Sequence, residues 1–310
     1  MAPHIPWLLV SGFGAHIKST PKKLIIQKKN NSEEYPIENV RHLLLVGGHT
    51  IHTSTVSNLV RHGAFVSFFE ADGTPVGIIR PYGAPEETAM RKLQEGAQRH
   101  RYAIEIAQGS LKSRLVFLEK IEETRSEPLL YEGESEFIHK AYDELEYLIK
   151  LDEIRRLNRL TSDMYYEILS RTLSPELGFK RRTVPPQRDV VNSLLSLGYA
   201  MLYGNCYVSV LGAYLDPDNG FMHTGKGSLV LDLIDPFKAV MIDEPVFRVV
   251  TDSIRPDDYE LSSGRCLLSD DCVHLLINVL QTTINIDRIN EQVSLLTEAL
   301  NGRDTFKVLY

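Results

Sequence analysis

The chain has 310 residues, with 41 acidic and 34 basic side chains and a formal net charge of −7. Hydrophobic residues make up 43 % and charged residues 24 %, which excludes global disorder and leaves enough chain for two domains. The longest apolar runs, Trp7 to Val10 and Leu43 to Val46, fall far short of the roughly 18 residues of a membrane span. No basic stretch followed by an apolar one opens the chain, and the three cysteines (Cys206, Cys266, Cys272) form no CxxC pair. The expectation is a reduced, cytoplasmic protein with no membrane partner.

The first 80 or so residues read as β. Leu8 to Val10, Lys23 to Gln27 and Leu43 to Val46 are short apolar or β-rich runs bounded by turn-forming or charged residues. Ser54 to Arg61 fits one or two helical turns. Val66 to Phe69 and Val76 to Ile79 flank Asp72-Gly73, a hairpin signal because glycine accepts positive φ. Pro81, Gly83 and Pro85 then punctuate the chain.

Beyond Pro85 the pattern becomes helical. Phe137, Ala141, Leu145 and Leu148 step by 4, 4 and 3, and Val190, Leu194, Leu197, Met201 and Leu202 repeat the theme. Loops at Ser174 to Pro186 and Asp216 to Gly227 interrupt it. The expected fold class is α+β: a small N-terminal β domain (1–85) followed by a larger, all-helical C-terminal domain (86–310).

Charge is unevenly spread. Residues 155–188 carry +5 while residues 189–310 carry −9. Basic segments attract phosphate backbones and acidic clusters attract metal ions, although a solvated helix face accounts for such a run equally well. Familiar motifs fail on inspection. Gly220 to Gly227 lacks the hydroxyl that closes a phosphate-binding loop, and Asp216 to Gly227 lacks the bidentate acid of a calcium loop. What remains is His223, followed by Asp232 and Asp235. Three residues is nearly one helical turn, so the two acids share a face if this segment is helical, with Ser228 as its N-cap. Imidazole plus carboxylate suits a metal ion that polarises phosphates.

The stretch Phe179 to Tyr203, with its Arg182, Pro185-Pro186, Asn192, Leu194-Leu195 and Tyr203, resembles the signature of the CRISPR-associated protein 1 family. So do Gly220-Phe-Met-His-Thr-Gly-Lys226 and Leu231-Asp-Leu-Ile-Asp-Pro-Phe-Lys238. The resemblance implies an integrase and endonuclease of spacer acquisition, inserting foreign DNA into a repeat array. It implies a homodimer joined through residues 1–85, and a small nuclease-like partner subunit in the CRISPR adaptation complex. It also implies a Mg²⁺ or Mn²⁺ site built from a Glu, a His and an Asp, with His223, Asp232 and Asp235 as the catalytic set.

The metal ligands then fall on His223, Asp235 and, seven residues before the paired aromatics Tyr165 and Tyr166, position 158. That residue is Asn158, not Glu. A neutral amide offers one oxygen where a carboxylate offers a charge and two, so the alternative is a catalytically weakened DNA-binding scaffold subunit. Around this position the resemblance gives the basic segment a role. Arg155, Arg156, Arg159, Lys180, Arg181, Arg182 and Arg188 would neutralise phosphates of duplex and branched DNA without reading sequence. Tyr203 would stack on an unpaired base.

Overall fold

Successive side chains of a strand point to opposite faces, so Leu43, Leu44 and Leu45 cannot share one core. The computed structural model, which describes residues 7–28, 31–84, 88–262 and 264–310, resolves this by covering their strand on both sides. In chain order the N-terminal part is β1 (Trp7–Ser11), β2 (His16–Ser19), β3 (Lys23–Lys28), β4 (Asn31–Pro36), β5 (His42–Val46), β6 (Thr50–Ile51), α1 (Thr53–Arg61), β7 (Phe65–Phe69) and β8 (Pro75–Ile79). One sheet has the order β1-β5-β7-β8, with β1, β5 and β7 parallel and β8 returning antiparallel across the expected hairpin. Helix α1 supplies the crossover between β5 and β7 that parallel pairing requires. The second sheet has the order β4-β3-β2-β6.

Leu43 and Leu45 join Val10, Ile17, Leu24, Leu59 and Val66 in a core closed by the second sheet and α1. Leu44, with Trp7 and Phe69, faces the other way into the core of the helical region. That region holds α2 (Ala89–Glu95), α3 (Arg99–Glu123), α4 (Glu134–Leu145), α5 (Leu151–Ser170), α6 (Val190–Gly212), α7 (Ser228–Ile234), α8 (Glu244–Asp252), α9 (Asp270–Thr283) and α10 (Ile286–Leu300). The β-then-helical order is therefore as expected. It is not helical throughout, because β9 (Tyr259–Ser262) and β10 (Arg265–Leu268) pair as a hairpin before α9. Four-residue strands are too short to leave a period in the sequence. The expected boundary at residue 85 lies outside the described residues.

Helix α6 is the centre of the helical region. Among the described residues it is the one helix long and apolar enough to cross a membrane, and about half of it is buried inside this fold. It packs against α7, α8, α9 and α10. Its buried Ser209 is satisfied internally: the Asn290 carbonyl oxygen accepts from Ser209 (2.6 Å) and from the Trp7 indole (3.2 Å), tying α6 and α10 to β1. The hairpin tip of β7 and β8 also rests on α6. A Cβ at Gly204 would lie 1.9 Å from the Asp72 carbonyl oxygen, and Gly73 opposite has φ of +86°, so this crossing admits only glycine on the helix.

Candidate active site

Helix α5 buries a stripe at Ile154, Thr161, Tyr165 and Ile168, and Asn158 falls on the same face at helical spacing. Helix α3 buries Ala107, Leu111, Arg114 and Leu118 at steps of 4, 3 and 4. The two stripes face each other, and the chain from Ser228 onward closes the third side. There α7 gives way to a 3₁₀ turn (Asp235–Phe237), then a π turn (Ala239–Asp243), then α8. Asn158 and Asp235, 77 residues apart, meet as expected: the Asn158 Nδ2 donates to Asp235 Oδ2 at 3.2 Å.

Two cations outside the expected site residues complete this centre. Arg114, with only 7 % of its side chain exposed, donates to Asn158 Oδ1 and to Asp235 Oδ2, each at 3.1 Å. Lys238 donates to Asp235 Oδ1 at 2.9 Å. Burial alone would push the Asp235 carboxyl up, but Lys238, Arg114 and His223 together hold it well below the usual carboxylate range. For Arg114 burial works against the charge, and Asp235 with Tyr166, Tyr165 and Asp243 together more than restores it, leaving the guanidinium's pKa raised. Lys238 was legible as a cation three residues after an acid. Arg114 was legible as an arginine in an apolar stripe, which needs a buried partner.

His223 and Asp232 form the second half. The Asp232 carboxylate is fully buried and accepts the backbone N–H groups of Phe221, Met222 (3.0 Å) and His223 (2.8 Å). It also meets His223 Nδ1 at 2.7 Å. A carboxylate oxygen only accepts, so the ring Nδ1–H is the donor to Asp232. The imidazole is about one-third exposed. Asp232 thus folds the loop and orients the histidine. Ser228 is not the N-cap. Gly227 takes that position with φ of +68°, and the buried Ser228 hydroxyl accepts from the Gly220 N–H (2.8 Å) and donates to the Asp218 carbonyl (2.7 Å).

The basic residues divide into two groups. Arg156 and Arg159 on α5, and Lys180, Arg181 and Arg188 in the following loop, are exposed. Arg155 is partly buried, donating to the Met222 carbonyl and to Asp152. This contact lays α5 beside the His223 loop. Arg182 is turned inward: it donates to the Asn192 side chain (2.7 Å), to the Asn192 carbonyl (3.2 Å) and to Ser196 (2.8 Å), with its guanidinium over the Tyr199 ring. Tyr203 is half-buried, its hydroxyl over Gly227 and its ring tilted on Tyr207. With Tyr207, Asp72 and Lys226 it lines a cavity of about 710 Å³ between the hairpin tip and α6.

A third carboxylate, Asp243, escaped the motif reading. It accepts from the hydroxyls of Tyr165 (2.9 Å) and Tyr199, and Tyr166 joins Tyr199. Burial pushes its carboxyl up to about 6, against the hydrogen bonds of Tyr199 and Tyr165 and the charges of Lys238 and Arg114.

The family model for CRISPR associated protein Cas1 matches residues 8–282. The chain belongs to the Cas1 family. A Cas1 protein of Methanospirillum hungatei is 39 % identical over 97 % of this chain and 99 % of its own length. A Thermus thermophilus protein described as CRISPR-associated endonuclease Cas1 1 is 29 % identical over 91 % and 86 %. The fold is also that of solved structures. A casposase bound to integration product superposes with a TM-score of 0.84 at 17 % identity, covering 97 % of both chains. A CAS1 protein from Thermotoga maritima gives 0.75 at 19 % identity, covering 97 % of this chain and 98 % of its own.

Against the Mg²⁺ or Mn²⁺ implied for a Cas1 protein, the donor set here fits poorly. Among the described residues no three His, Cys, Asp or Glu side chains lie close enough to share an ion. Hard divalent cations want several oxygen ligands, preferably anionic. The inner centre offers one carboxylate, already held by Arg114 and Lys238, and one amide oxygen, already accepting from Arg114.

The Asp243 cluster has a pH consequence. Its carboxyl releases a proton near 3.8 when unfolded and near 6 when folded, so between these values the folded state holds more protons. Its contribution is full below pH 4 and is lost as pH rises through 6. In urea titrations, the stability of wild type relative to Asp243→Asn should fall by roughly 2–3 kcal/mol between pH 4 and pH 7. A difference that is flat across this range would contradict the assignment.

Proposed function

We propose that this chain is a DNA-handling subunit of CRISPR spacer acquisition that binds duplex and branched DNA without sequence preference and whose own strand chemistry is weakened. The observation that carries this reading is the centre itself. His223 and Asp235 are retained, but Asn158 and Arg114 stand where a second anion and a cation would be needed. Membership of the Cas1 family supports the wider role. So does the likeness to a casposase bound to its integration product, and to a partial Cas6-RT-Cas1–Cas2 complex, which supports a Cas2-type partner (TM-score 0.79, 18 % identity, 98 % of both chains).

In this reading Arg156, Arg159, Lys180, Arg181 and Arg188 contact phosphates. Asp232 keeps the His223 imidazole in one orientation. Tyr203 offers an aromatic face at the cavity edge. Strand β8 closes one sheet edge with apolar side chains in water, Val76 63 % and Ile78 53 % exposed. An exposed apolar edge strand is a pairing template, and a second copy of this chain is its proposed partner.

Ile78→Lys should convert the protein from dimer to monomer in light scattering at micromolar concentration; a wild type that is already monomeric would sink the dimer. Lys180→Ala with Arg181→Ala should reduce the slope of log affinity against log salt by about 2, since each lost phosphate contact removes about 0.9. Arg182→Ala should lower the melting temperature instead and leave that slope unchanged. On a branched duplex, wild type in Mg²⁺ or Mn²⁺ should nick no more than a few-fold faster than His223→Ala. A wild-type rate ~100-fold or more above that variant, the scale of acid–base or metal catalysis, would favour the fully active integrase.

A further inference from the structure

Arg114, Asn158 and Asp235 form a closed triangle of hydrogen bonds of 3.1, 3.1 and 3.2 Å. The triangle fixes which way the amide points. A guanidinium has no acceptor, so it must face the amide oxygen; an ionised carboxylate has no donor, so it must face the amide NH₂. Each partner is satisfied only because the residue at position 158 has both kinds of atom on one planar group. A carboxylate there would leave two anions in contact, with one oxygen of Asp235 already tied to Lys238.

The occupancy around Asp235 is also high. Oδ2 receives Arg114 and Asn158, which uses both of its lone-pair directions, and Oδ1 receives Lys238. A divalent ion on the remaining direction would lie close to an ammonium and a guanidinium in a buried setting, where charge repulsion is poorly screened. A guanidinium is permanently charged, planar and shaped for this recognition, and it is attached to α3. It is neither titrated nor exchanged.

We infer that Arg114 is the resident cation of this centre, standing in for the divalent ion of a metal-loaded one. It is paired with Asn158 as a single device, so a change at position 158 alone does not create a metal site. The inference rests on the reading of a weakened centre given above and adds the residue responsible. With Glu at 158 and Arg114 retained, the new carboxylate is paired by the guanidinium. Only removal of Arg114 as well leaves two carboxylates that require an ion.

The test is Mn²⁺ binding followed by electron paramagnetic resonance and by melting temperature, on the full chain. Wild type and Asn158→Glu should show no specific site, and neither Mn²⁺ nor EDTA should move their melting temperatures. Asn158→Glu with Arg114→Met should bind Mn²⁺ about tenfold or more tightly than either, the scale on which neighbours tune metal sites. Its melting temperature should rise with Mn²⁺. A wild-type Mn²⁺ site that Asp235→Asn abolishes would overturn the inference. So would a specific Mn²⁺ site in Asn158→Glu that EDTA removes. These two measurements decide without the double variant, should it fold poorly. A folded double variant that gains no affinity also overturns the role of Arg114, while weak wild-type nicking would leave the functional reading intact.

Discussion

Asp235 is a carboxylate with almost no contact with water, and its position in the fold depends on how that charge is answered. An isolated buried charge costs several kcal/mol, so partners must arrive from wherever the fold can supply them. Here they come from three places: Arg114 on α3, Asn158 on α5 and Lys238 one turn along its own segment. Each is fixed by the element that carries it. The two long helices and the Ser228–Asp252 segment therefore cannot slide relative to one another without stranding a charge. The apolar stripes on α3 and α5 give the attraction; the polar centre sets the register.

Asp232 and Asp243, on the same stretch of chain, are answered by other means. Asp232 meets three backbone N–H groups and an imidazole, and so folds a loop. Asp243 meets phenolic hydroxyls, which donate without carrying charge. Three buried carboxylates within twelve residues thus serve three different ends. One shapes a surface, one holds two cations, and one keeps its proton into the weakly acidic range. The site's exposed member, His223, is linked to the buried centre through charge and to the loop through hydrogen bonds.

Much of this was legible before any coordinates. The runs around Leu8, Ile25, Leu44 and Val66 gave β1, β3, β5 and β7, because burial leaves apolar residues in short blocks, and the Asp72-Gly73 turn gave the exposed β8. Strand β4 (Asn-Ser-Glu-Glu-Tyr-Pro) left no such mark: it is an edge strand exposed along most of its length, held by backbone pairing to β3. The meeting of Asn158 and Asp235 was likewise expected, whereas His223 pairs with Asp232. The partners of Arg114 were not expected, since they lie 44 and 121 residues away, and only its place in an apolar stripe marked it. Arg182 misled in the opposite sense. A run of Lys-Arg-Arg reads as a solvent-facing patch, yet its third member is drawn inward by Asn192 and Ser196, neither of which announces itself as an arginine receptor.

The π turn at Ala239–Asp243 has its own bearing on how this segment can change over time. In a regular α-helix, residues five apart point about 140° from each other. Yet Lys238 and Asp243, five apart, both reach Tyr199, the lysine over its ring and the carboxylate at its hydroxyl. The wider turn brings them to one side, at the cost of one residue more than an α turn needs. Loss of a single residue here is therefore a different event from any substitution. It would restore an ordinary helix and swing everything beyond it by about 100°. Asp243 would leave its tyrosines and the apolar face of α8 would turn away from its core. Insertions and deletions should be purged from these five positions, even where the side chains themselves drift.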